Sequence, residues 1–126
     1  MASPVEGWTE GRYKAFITSA VRAGFRRFPP KFRVLEKAAV GKKINEASGR
    51  MAMHYKCIEC NQDYPSKEVQ VDHKCPVVGP NGFTTWDDFI NNLFCGEENL
   101  QVLCKDCHSI KTKEETAQRA KTRKKK

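Results

Sequence analysis

No stretch of this chain stays apolar for long. Trp8, Tyr13, Phe16 and Ile17 are spaced among polar and charged residues, so the start lacks the apolar run that a signal peptide or a membrane span needs. The expected setting is therefore the reducing cytoplasm. Apolar residues make up 39% and aromatics 10% of 126 residues, which allows one domain with a thin core that needs help from beyond hydrophobic packing. There are no internal repeats, which excludes a solenoid, and no heptads, so the oligomeric state is left open.

Acids are scarce at both ends. Residues 1–56 carry 12 Lys/Arg against 4 acids and residues 116–126 carry 6 against none, whereas residues 57–115 reverse the balance with 5 against 11. Basic flanks around an acidic centre suit a polyanion that is gripped outside and presented to a cation-seeking middle. The plainer alternative is that these side chains only solvate the surface.

Hydrophobic spacing sets out the elements. Tyr13, Phe16, Ile17, Ala20, Val21, Gly24, Phe25 and Phe28 recur at three- and four-residue steps, predicting an amphipathic helix over residues 9–28 that Pro29-Pro30 must end. A shorter helix is expected over residues 31–40, closed by Gly41-Lys42-Lys43. Arg22, Arg26, Arg27, Lys31 and Arg33 gather at this corner and are the candidate phosphate contacts. Residues 44–56 read as a loop that becomes extended near residues 53–55. The segment "VQVDHKC" reads as a strand, Thr85 as the cap of a helix carrying Trp86, Phe89, Ile90, Leu93 and Phe94, and "NLQVLC" as another strand. A last helix starts near Asp106 and dissolves into "RAKTRKKK". The organisation expected is a basic helical arm (1–50), a core (51–116) and a basic disordered tail (117–126).

Six cysteines remain to be explained. Cys57-Ile58-Glu59-Cys60 and Cys104-Lys105-Asp106-Cys107 are two C-x-x-C pairs with 43 residues between them. A two-residue spacer lets one turn aim both sulfurs at a point, and two such turns complete a tetrahedral zinc site. A redox C-x-x-C would stand alone beside a βαβ pattern, which is missing here. Such a closed site contributes folding free energy and not catalysis. Cys75 and Cys95 lack partners at ligand spacing and read as small buried hydrophobes. His54, in a basic loop, reads as solvated or phosphate-facing.

The zinc has a geometric consequence. It ties the segment before "VQVDHKC" to the start of the last helix, and so carries His108 toward Asp72 and His73. One carboxylate and two imidazoles have the makings of a cation site with one imidazole left over as a base.

The order Asp72-His73, then "NLQVLCKDCHSIKT" from Asn99 to Thr112, resembles the HNH endonuclease family in its zinc-bound form. The leading helix, the "RRFPP" corner and "GFTTWDDFI" are similar to small bacteriophage-encoded HNH proteins. The resemblance implies an α+β fold with a zinc-stapled ββα-metal core behind a helical arm. It also implies His73 as general base, Asp72 and His108 as ligands of a catalytic divalent ion (Mg²⁺, or another such as Mn²⁺), and Asn99 as the residue holding the loop between the strands. Two departures stand out. Between His73 and Asn99 lie 25 residues that include a helix, and Thr112 stands where some members carry a further His.

By this resemblance the expected activity is hydrolysis of DNA phosphodiesters, as a nick or a double-strand cut, in a host cytoplasm if the gene is a phage's. DNA is the expected partner, with Lys111 and Lys124 adding backbone contacts, and phage or host DNA-processing proteins as further partners. Two rivals stay open: a zinc-ribbon module that binds nucleic acid without cutting it, and a phage DNA-packaging factor on a nuclease fold.

Overall fold

A computed structural model describes residues 2–124, with side chains through residue 122. The first helix, α1 (Glu10–Gly24), opens where Thr9 accepts a hydrogen bond from the Arg12 N–H at 3.1 Å. It ends earlier than its stripe suggests. Phe25–Arg27 tightens into a 3₁₀ turn and Phe28 is extended at φ −73, ψ 120, the conformation that a following proline imposes. The two prolines then do more than stop α1, because they open α2 (Pro29–Ala38), where their missing N–H groups cost nothing.

Residues 39–56 depart from expectation. Gly41-Lys42-Lys43 does not close a helix, and residues 44–56 are not a loop. Both belong to an antiparallel hairpin, β1 (Ala39–Asn45) with β2 (Arg50–Lys56), extended by the short β3 (Asp63–Pro65) in the order β1-β2-β3. Gly41 has φ +116 where the register slips after Ala39, so its conformational freedom serves a bulge and not a helix cap. The boundary expected at 50/51 consequently cuts through one paired hairpin, and the helical arm runs directly into that hairpin.

A second, two-stranded sheet pairs β4 (Val69–His73) with β5 (Leu100–Cys104), with Asp72 opposite Gln101 and His73 opposite Leu100. Between them α3 (Trp86–Leu93) is capped by Thr85, which accepts from the Asp88 N–H at 3.1 Å, as its sequence predicts. The last helix, α4 (Lys105–Lys124), starts directly from β5 and takes in residues 117–124 of the segment expected to be a disordered tail. Lys125 and Lys126 lie outside the described residues.

The chain is thus mixed α+β, and its core is as thin as its composition implies. One cluster gathers Cys57, Leu103 and Cys104, with Cys60, Tyr64 and Cys107 against it. The other gathers Val77, Phe89 and Leu93, onto which α1 lays Val21 and the turn after it Phe25. Neither α1 nor α2 buries any residue completely. No helix is long and apolar enough to cross a membrane among the described residues. Since Phe89 is 3% exposed and its neighbour Ile90 42%, Phe89→Ala should cost about 3–5 kcal/mol of unfolding free energy and Ile90→Ala under about 1, read by urea titration.

Candidate functional site

After β2 the chain turns through Cys57 to Cys60. The Cys57 N–H donates to the Gln62 carbonyl and the Asn61 N–H to the Cys57 carbonyl, each at 2.9 Å. Asn61 takes φ 59, the left-handed region that asparagine tolerates better than most residues. On the other side β5 ends at Cys104, and Cys107, in the first turn of α4, points its N–H at Cys104 Sγ, 3.5 Å away.

The sulfurs of Cys57, Cys60, Cys104 and Cys107 all lie within 4.8 Å of one another. A Zn–S bond of about 2.3 Å sets the sulfurs of a tetrahedral site about 3.8 Å apart. The 4.0 Å from Cys60 Sγ to Cys104 Sγ fits that geometry, so the cluster is compatible with a structural zinc site. The thiols are unequal by themselves. The Tyr64 hydroxyl, 3.5 Å from Cys60 Sγ, donates to it and brings that thiol down to about 7, whereas Cys104 beside Cys107 pushes the latter up to about 12. Four sulfurs this close share out their negative charge unless a cation sits between them. Tyr64 is a participant the motif reading missed, and its only signal was an aromatic hydroxyl four residues past Cys60.

Asp72 and His73 diverge, as alternate side chains of a strand must. Asp72 turns toward α4. Its Oδ1 is 3.7 Å from His108 Nε2, and its Oδ2 receives Gln101 Nε2 at 3.1 Å and Lys111 Nζ at 2.9 Å. Two ligands each about 2.1 Å from one divalent ion are at most about 4.2 Å apart. The carboxylate-imidazole pair is inside that limit, so one oxygen and one nitrogen donor are close enough to share a divalent ion.

His73 turns the other way, toward α3 and the aromatic corner. Its Nε2 lies 2.8 Å from the carbonyl oxygen of Leu93, at the end of α3. A carbonyl only accepts, so Nε2 carries a proton, and the neutral form of this ring has its lone pair at Nδ1. Phe25 packs against the imidazole with ring centroids 4.8 Å apart. The strand ends at His73, and the bend beyond it is fastened by Asn99. Its side-chain Oδ1 accepts from the Cys75 N–H at 3.1 Å, and its backbone carbonyl accepts from the Lys74 N–H at 2.8 Å.

Asp72 and His108 therefore come together between β4 and the first turn of α4, whereas His73 lies on the α3 side of the strand and Asn99 on the bend beyond it. The basic candidates behave differently. Arg26 and Arg27 are exposed on the 3₁₀ turn next to Phe25, while Arg22 lies 5.4 Å from the Phe89 ring and Lys31 6.0 Å from the Phe25 ring. Arg33 Nη1 is 3.9 Å from Glu97 Oε2. Lys111 is not an outward backbone contact: it faces Asp72 and Glu115, and the Lys124 side chain lies outside the described residues. Burial pushes the Lys111 ammonium down, but hydrogen bonds to Glu115 and Asp72 outweigh it and raise its pKa overall.

Three further expectations need correction. Cys75 is exposed, because it sits on the bend that Asn99 holds. Cys95 is half-buried, with its sulfur 3.6 Å from Asn99 Nδ2. His54 is buried at 6% exposure in β2, with Nδ1 2.8 Å from the Ala52 carbonyl oxygen, and does not face a phosphate. Sequence reasoning gave Leu93 only as helix packing and assigned no role to Gln101 or Glu115, because these contributions are set by tertiary contact.

The chain matches no family model, no curated protein and no solved structure. Cys57→Ala and Cys104→Ala should each lose bound zinc and the cooperative thermal transition together. Zinc content by atomic absorption and melting by near-ultraviolet circular dichroism check this. Full metal content with native melting in either variant would refute the structural role of the cluster.

Proposed function

We propose that this protein is a metal-dependent DNA endonuclease of the HNH type. In this reading β4, β5 and α4 form its ββα-metal core, with zinc as the structural staple. The observation that carries the reading is the approach of His108 Nε2 to 3.7 Å from Asp72 Oδ1, with the next residue of β4, His73, holding its Nε2 proton on the Leu93 carbonyl. A zinc ribbon that only binds nucleic acid has no use for that combination.

When bound by Asp72 and His108, the divalent ion supplies charge stabilisation at the phosphate and at the departing 3′ oxygen. The remaining work belongs to the chain. His73 accepts the proton of the attacking water at Nδ1, because Nε2–H is held by the Leu93 carbonyl. Phe25 covers the imidazole and limits its rotation, and Asn99 keeps the bend after His73 from opening. Arg26 and Arg27 lie on the turn that begins with Phe25, so a DNA backbone drawn to them passes close to the base.

One observation favours a second reading. The Lys111 ammonium already neutralises Asp72, which suits a nuclease fold that binds DNA without cutting it. Activity separates the two. His73→Ala should reduce Mg²⁺-dependent plasmid nicking by about 10²-fold or more, with DNA affinity and zinc content unchanged. Equal nicking by the variant would remove His73 from the mechanism, and no EDTA-sensitive nicking by the wild type would favour the second reading. The Arg26→Ala/Arg27→Ala double variant should bind more weakly and flatten the plot of log affinity against log salt by about 0.9 for each phosphate no longer neutralised, measured by fluorescence anisotropy.

A further inference from the structure

The Asp72 carboxylate already has a cation of its own. Lys111 Nζ lies 2.9 Å from Asp72 Oδ2 and 2.8 Å from the backbone carbonyl oxygen of His73, and it pairs with Glu115 one turn along α4. An ammonium has three protons to give, and three oxygens receive them. The group is well shielded: the Lys111 side chain is 23% exposed and that of Asp72 13%. Two carboxylates and a carbonyl are also the oxygen donors a divalent cation favours, so the ammonium occupies ground that suits a metal ion.

The carboxylate is divided between two neighbourhoods. Oδ1 faces His108, while Oδ2 faces Lys111 and Gln101. An ion taken up between Oδ1 and His108 would share one carboxylate with an ammonium, and like charges so close in a partly buried site repel strongly. Glu115 offers a way out, because it already touches Lys111 and belongs to the same helix.

We infer that Lys111 is the built-in counter-ion of this site. It neutralises Asp72 in the ion-free protein, competes with the divalent ion for that carboxylate, and moves onto Glu115 when the ion binds. The inference rests on the proposed Asp72–His108 ion site and adds what sets its affinity. Lys111 is thereby a positioning residue, acting through Asp72.

The test is Mn²⁺ binding to the zinc-loaded, DNA-free protein, followed by the electron paramagnetic resonance signal of free Mn²⁺. Lys111→Met and Lys111→Gln should bind Mn²⁺ about tenfold more tightly than the wild type, a coupling of ordinary size for two linked sites. The Gln variant keeps a hydrogen-bond donor toward Asp72 and His73, so it serves if the Met variant does not fold. Glu115→Gln should weaken binding where Lys111 is present and have little effect in the Lys111→Met background. Asp72→Asn should abolish binding throughout. Wild-type or weaker affinity in both Lys111 variants, with Asp72→Asn still inactive in binding, would overturn the counter-ion role and leave the ion site standing. Unchanged Mn²⁺ binding in Asp72→Asn would overturn the ion site itself. Equal weakening by Glu115→Gln in both backgrounds would refute Glu115 as the acceptor of the released ammonium.

Discussion

The β4–β5 pair and the start of α4 are organised around four sulfurs that converge within 4.8 Å. The cysteines come from two segments far apart in the chain, one leaving β2 and the other joining β5 to α4. Two of the four, Cys57 and Cys104, pack with Leu103 as one of the two clusters of buried core residues, so the sulfur cluster is itself part of the core. A thin-cored chain gains by placing a strong local interaction where its packing is sparse. Once Cys104 and Cys107 are fixed, His108 has little freedom, because it comes directly after Cys107 in the first turn of α4. The strand partner of β5 then carries Asp72 to it. In that way the sulfur cluster fixes where His108 meets Asp72.

The adjacent pair Asp72-His73 is served by two different parts of the molecule, and strand alternation makes this possible. Asp72 looks to α4, where His108 and Lys111 lie, and His73 looks to α3 and the end of α1, where the Leu93 carbonyl and Phe25 lie. The helix between the strands thus has a definite task. Its last turn leaves a carbonyl without an intrahelical donor, and the imidazole satisfies it. One hydrogen bond satisfies the last carbonyl of α3 and fixes which ring nitrogen of a neutral His73 carries the proton. The turn between α1 and α2 contributes as well, since Phe25 packs on His73 and Phe28 on Phe94, with ring centroids 4.8 and 5.1 Å apart.

The features that could be read from the sequence were those resting on short-range spacing. The C-x-x-C pairs, the Thr85 cap and the strands holding Asp72 and Leu103 all repeat at distances local geometry dictates. The β1–β2 hairpin was not legible. Its polar sequence lacks clean alternation, and Gly41, needed for a positive φ in a bulge, looks the same in sequence as the glycine that ends a helix. The environment of Asp72 was hidden for a different reason. Gln101, Lys111 and Glu115 are ordinary exposed-type residues by composition, and only the packing of α4 across β4 and β5 turns them inward. His54 was misread because a lone histidine carries no mark of burial, and its place in β2 depends on a pairing that was itself unseen.

The same distinction applies to the basic corner, where net charge alone is a poor guide to the groups a polyanion would meet. Arg33 and Lys37 both reach Glu97, at 3.9 and 2.8 Å, and so help hold α2 against the segment before β5. Arg22 and Lys31 lie over the rings of Phe89 and Phe25, which joins their charge to the packing of α1. These four cations are already attached to something. Among the described residues neither Arg26 nor Arg27 has an ion-pair partner, and both project from the 3₁₀ turn that Phe28 and Pro29 force on the chain. A phosphate would compete with no internal anion for them, so binding it requires no ion pair within the protein to break. The 3₁₀ turn between α1 and Pro29 is therefore the feature that leaves two arginines exposed while Phe25 packs against His73.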